Sequence, residues 1–192
     1  MGKGSYSLTG TAKLQGFSFA DYELALELKK PEVQSKYFTG VVDGNLKMTS
    51  TGTKPKIAGE LLFANNVINI PMFPDLEASN LDVDLDIGVT VGKKVRFYNP
   101  FLYDIIAEGH LKFAGSTLKP NFSGRIVALR GTVNYLRTQF KVNEASVEFT
   151  QFASFEPIVK LEAQTRLQQV LVSLNINGPI TGMQFSLTSE PA

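Results

Sequence analysis

Cysteine and tryptophan are absent from this 192-residue chain, and histidine occurs once. Without cysteine there is neither a disulfide framework nor a thiolate metal site, which fits a reducing compartment or an envelope protein that does without disulfides. No charge of one sign dominates. Nineteen Lys and Arg stand against 18 Asp and Glu, and the basic residues are scattered. Nucleic-acid binding needs Lys and Arg clustered on one face with interleaved aromatics, so none is expected. No stretch approaches the roughly 18 apolar residues of a spanning helix, and the start lacks a signal-peptide apolar run, so an exported natural protein would make this chain a piece of it. Glycines fall singly at turns and form no phosphate-cradling loop.

What the chain does contain is an internal repeat. Residues 44–70 superpose without a gap on residues 109–135 at an offset of 65, with Gly44/Gly109, Leu46/Leu111, Lys47/Lys112, Lys54/Lys119, Pro55/Pro120, Gly59/Gly124 and Asn69/Asn134 identical. Each copy reads as strand, turn, strand. The alternating apolar positions are Leu46, Met48, Ile57, Leu61 and Phe63 in the first copy, and Leu111, Phe113, Phe122, Ile126, Val133 and Tyr135 in the second.

The same period of two runs through the rest of the chain. Tyr6 and Leu8, then Ala12 and Leu14, with Phe17 and Phe19 after Gly16, predict two short strands, and Leu24, Leu26 and Leu28 alternate with Glu23, Ala25, Glu27 and Lys29. Residues 71–80, with two prolines, predict a loop with a short helical turn. Val83, Leu85, Ile87, Val89 and Val91 oppose Asp82, Asp84, Asp86 and Thr90, giving one dry face and one wet face. Gly92-Lys93-Lys94 and Asn143-Glu144 predict turns. Leu161, Val172 and Leu174 continue the pattern toward the C-terminus. More than a dozen short strands without an amphipathic helix make the chain all-β. A closed sandwich or barrel core and an open trough share this periodicity, and the gapless repeat favours an array in which strands extend one long sheet.

Catalysis has little to stand on, and no enzyme, cofactor or metal is expected. His110 lies on the polar side of its strand, has Asn45 as its repeat counterpart, and lacks the partner and pocket that acid–base work needs. Asp82, Asp84 and Asp86 stand about 6 to 7 Å apart on one strand face. They lack the glycine turn and distal Glu that wrap calcium, so a solvated face is expected. The unusual feature is the long apolar face, whose natural ligand is hydrocarbon.

Residues 123–149 resemble the TamB family, with its "G-x-(I/V)-x-x-x-x-G" strand at Gly124 to Gly131, an aromatic-bearing strand, and the F-K-V strand at Phe140. Similar to the family's closing motifs are Glu156-Pro157 to Ala163, Val172 to Gly178, and Leu187-Thr188-Ser189-Glu190-Pro191. The upstream copy and residues 94–100 fit as well. Asn143-Glu144 depart from the pattern, where the family often has glycine. Family members continue past the position of Ala192, which implies that the chain is a C-terminal piece forming one repeat domain over residues 1–192.

The resemblance implies a curled β-sheet trough, the β-taco, in a periplasmic protein of diderm bacteria held to the inner membrane by an N-terminal helix lying outside this sequence. It implies a lipid-transfer conduit that shields phospholipid acyl chains and supports outer-membrane biogenesis, with a TamA/BamA-like assembly barrel as partner. On this reading Leu46, Met48, Ile57, Leu61, Phe63, Val83, Leu85, Ile87, Leu111, Phe113, Phe122, Ile126, Val133, Tyr135, Leu161, Val172 and Leu174 line the groove. A chaperone that pairs incoming outer-membrane strands, and a closed structural β-solenoid, are the alternatives. Open sheet edges also predict a weak homodimer.

Overall fold

The computed structural model describes residues 4–15, 18–51, 54–69, 81–150 and 156–191. Among them are twelve strands and no helix: β1 (Ser5–Gln15), β2 (Ser18–Lys29), β3 (Glu32–Gln34), β4 (Phe38–Thr51), β5 (Lys56–Ile68), β6 (Asp84–Asn99), β7 (Tyr103–Ser116), β8 (Lys119–Tyr135), β9 (Thr138–Phe149), β10 (Ile158–Leu167), β11 (Val170–Pro179) and β12 (Gln184–Pro191). They form one open, curled sheet in the order β1-β2-β4-β5-β6-β7-β8-β9-β10-β11-β12. The short β3 continues the line of β2 along the edge of β4, beyond the break at Lys30-Pro31.

Every neighbouring pair is antiparallel except β5 and β6, which run parallel. A parallel step needs a crossover rather than a tight turn, and it falls between the end of β5 at Ile68 and the start of β6 at Asp84. The loop and helical turn expected at residues 71–80 lie outside the described residues, as does Phe17.

The sequence repeat is a structural repeat. In the β4–β5 hairpin Gly44 faces Leu61 and Leu46 faces Gly59; in the β7–β8 hairpin Gly109 faces Ile126 and Leu111 faces Gly124. The equivalence reaches the loops. Asn69 N donates to Tyr37 O at 2.8 Å, and Asn134 N donates to Leu102 O at 2.8 Å. Glycine is required where these strands press together: at Gly124, with φ 126°, a Cβ would collide with the His110 carbonyl oxygen.

Two expected turns are bulges instead. β6 runs unbroken through Gly92-Lys93-Lys94, with Lys94 at φ 60°, and the register to β7 slips between Val91 and Val95. β9 likewise passes straight through Asn143-Glu144, where Glu162 pairs with Glu144 and Ala163 with Val142. An extra residue kept inside a paired strand bends and twists it without reversing the chain. Of the N-terminal stretch expected to form two short strands, residues 6–14 lie in the single strand β1 and Phe19 lies at the start of β2.

The β6 bulge belongs to a line of irregularities crossing β4 to β8, at Thr39/Val41, Phe63/Val67, Val91/Val95 and Ile106/Ala107. Val42, Val91, Val95 and Ala107, all buried, cluster on this line, so the apolar face is creased there. Asn66 is also buried at the crease, where its side chain accepts from Val41 N at 3.1 Å and donates to Val41 O at 2.9 Å, replacing the ladder bonds that the bulge displaces.

Candidate functional site

One face of the sheet is apolar from edge to edge, because the period-two pattern of each strand is brought into register with its neighbours. Leu8, Leu26 and Leu46 lie opposite one another, followed by Gly59, Ile87, Phe113 and Phe122. Parallel rows run through Leu24, Met48, Ile57 and Leu85, and through Leu28, Gly44, Leu61, Val89 and Leu111. Phe113 meets Phe122 edge to face at 5.0 Å, and Phe63 meets Phe38 at 5.2 Å.

Burial divides this face into two sections. Leu46, Met48, Ile57, Leu61, Phe63, Leu85, Ile87, Leu111, Phe113, Phe122 and Ile126 are half-buried, and we refer to them as the half-open section. Leu8 and Tyr6 on the edge strand β1 are 64% and 75% exposed. Val133, Leu161 and Leu174, by contrast, join Phe140, Val142 and Ala163 in a closed cluster against which Tyr135 and Val172 pack. Leu174 is completely buried. Val83 lies just before β6, where its backbone pairs with Thr117: Val83 N donates to Thr117 Oγ1 at 3.0 Å and Thr117 N donates to Val83 O at 2.9 Å.

Residues of β1 and β2 on this face, Tyr6, Leu8, Leu24, Leu26 and Leu28, extend the half-open section although the sequence reasoning did not place them in the groove. Their alternation was the available signal. Phe185 and Ile176 extend the closed section in the same way.

The opposite face is charged and cross-linked by ion pairs. Lys54 Nζ lies 2.7 Å from Asp82 and 2.6 Å from Asp84, and Asp86 is shared by Lys112 at 2.5 Å and Lys56 at 3.5 Å. Hydrogen bonding from Lys54 holds the Asp82 carboxyl below its usual range, and that from Lys112 does the same for Asp86. The three aspartates stay 44–50% exposed, the solvated face that was expected, and each also faces a lysine of a flanking strand or its approach. Arg96 grips Asp104 with two bonds of 2.7 and 2.8 Å, which lowers the Asp104 pKa. His110 is exposed on this outer face, its Nδ1 3.1 Å from Thr90 Oγ1, beside a shallow depression of about 280 Å³ lined also by Glu60, Lys112 and Ser123.

An open sheet curled around an apolar interior, with its ion pairs on the outside, defines a β-trough protein. The family model described as the TamB C-terminal domain matches residues 1–192, and the chain belongs to the TamB family. The family implies a role in outer-membrane protein assembly or lipid transfer and an association with the outer-membrane assembly machinery, and its members are periplasmic, membrane-anchored modules. No curated protein matches the chain. Among the described residues no helix is long and apolar enough to cross a membrane.

Proposed function

We propose that the chain is a non-enzymatic section of a lipid conduit between the inner and outer membranes, in which the half-open rows shield phospholipid acyl chains while head groups stay in water. The observation that carries this reading is the apolar track from β2 to β8, whose side chains stay only half-buried on an open, curled sheet. Five strand spacings of ~4.8 Å give it a length of about 24 Å. A tail occupying half of a ~30 Å hydrocarbon core needs about 15 Å, so one tail fits along the track. Each methylene taken from water contributes about 0.8 kcal/mol wherever it lies, so the track holds a tail without fixing its position, as sliding requires.

A second reading, a module that pairs incoming outer-membrane strands, draws on the sheet edges. β12 is exposed throughout, and β1 presents Tyr6, Leu8 and Leu14 to solvent. Unpaired edges of this kind template added strands.

Extraction of a pyrene-labelled phospholipid from vesicles tests the conduit. The unaltered protein takes up the lipid, and Ile126→Asp remains folded but takes up none, because its carboxylate stays hydrated in the open section and repels a tail. Uptake by neither protein, combined with crosslinking of β12 to a nascent barrel strand, would favour the second reading.

A further inference from the structure

The C-terminal end of the trough is shut by a contact made across the curl. Tyr135, the last residue of β8, stacks on Phe185, the second residue of β12, with ring centroids 5.6 Å apart and planes 14° apart. Four strand spacings separate these strands, about 19 Å in a flat sheet. The curl therefore brings the β12 edge over β8. In this section Leu174 and Ala163 are 0% and 1% exposed, so no hydrocarbon fits between the walls while the contact holds.

The outer half of that closure is lightly held. β12 hydrogen-bonds only to β11, every one of its residues is exposed, and Phe185 itself is 46% exposed. Leu187 and Leu174 are partners in the same register, as are Phe185 and Ile176. Lifting β12 thus uncovers the apolar cluster row by row, beside the row that leads from Ile126 of the half-open section through Val147 to Val159.

We infer that β12 is a strap and the Tyr135–Phe185 stack its latch: latched, the acyl-chain path stops at β8; unlatched, it runs on across β9 to β11. The inference rests on the conduit reading for its ligand, but the latch can be tested by itself. Because the chain has no cysteine, Ala163→Cys places a single thiol beneath the strap with little change in volume.

Iodoacetamide should label Ala163→Cys slowly, and adding Phe185→Ala should speed labelling by about tenfold or more, since reaction follows the population of the opened segment. Leu174→Cys provides the same readout should Ala163→Cys fold poorly. In parallel, vesicles with pyrene-labelled phospholipid should load Phe185→Ala with more lipid than the unaltered protein. Equal labelling with and without Phe185 overturns the latch. Faster labelling with unchanged lipid loading overturns it as well, because an opened end that takes no further lipid is not part of the path. No bound phospholipid in either protein, whatever the labelling, condemns the conduit reading beneath it.

Discussion

Truncating one leucine in each section of the trough distinguishes a wall from a core. Leu174 is completely buried between Ala163 of β10 and Leu187 of β12, so Leu174→Ala removes the transfer free energy of the lost atoms and leaves a cavity. That combination costs about 3 kcal/mol. For a chain of this size each kcal/mol lowers Tm by about 2–4 °C, giving a drop of about 6–12 °C. Leu46 faces the half-open section, where the space left by truncation is already open to water. Leu46→Ala therefore loses only part of a side chain's transfer free energy, about 1 kcal/mol, with a Tm change of about 2–4 °C. Thermal melts followed by circular dichroism read both. Equal losses of about 3 kcal/mol would mean that the two positions share one sealed core, and the division of the trough would be refuted.

Two further outcomes follow from the repeat hairpin and the outer face. Gly124→Ala should destabilise by about 2 kcal/mol, because φ 126° and the His110 carbonyl both oppose a Cβ, whereas Gly182→Ala, whose nearest neighbour would be Pro179 at 3.8 Å, should stay within about 0.5 kcal/mol; denaturant midpoints compare them. The Arg96 guanidinium holds the Asp104 carboxyl below the usual aspartate range, so the pair's contribution is full above that range and is lost as pH falls through the depressed value; Asp104→Asn should flatten this acid limb of the stability profile, and an unchanged limb would show that the pair contributes nothing.

Much of this fold was legible because period-two alternation records which side of a strand is apolar, and the 65-residue repeat records register: Leu46 opposite Gly59 reappears as Leu111 opposite Gly124. The bulges were not legible. Gly92-Lys93-Lys94 and Asn143-Glu144 carry ordinary turn composition, and what keeps the chain extended there is pairing to strands distant in sequence. The aspartate–lysine pairs were hidden for the same reason, since Lys54, Lys56 and Lys112 come from flanking strands or their approaches. At the candidate site, Leu46 and Leu174 sit in the same kind of alternating run, yet one is half-open and the other sealed. The difference is made by the curl that brings Phe185 onto Tyr135, a contact between residues 50 positions apart that no local pattern encodes.

The most direct test of the conduit is native mass spectrometry of the protein isolated under gentle conditions from a diderm bacterial host. The account predicts adducts with the masses of phospholipids on the unaltered protein and their absence from folded Ile126→Asp. An adduct-free parent, together with an Ile126→Asp variant that unfolds outright, would contradict it, since both results belong to a face that is a sealed core.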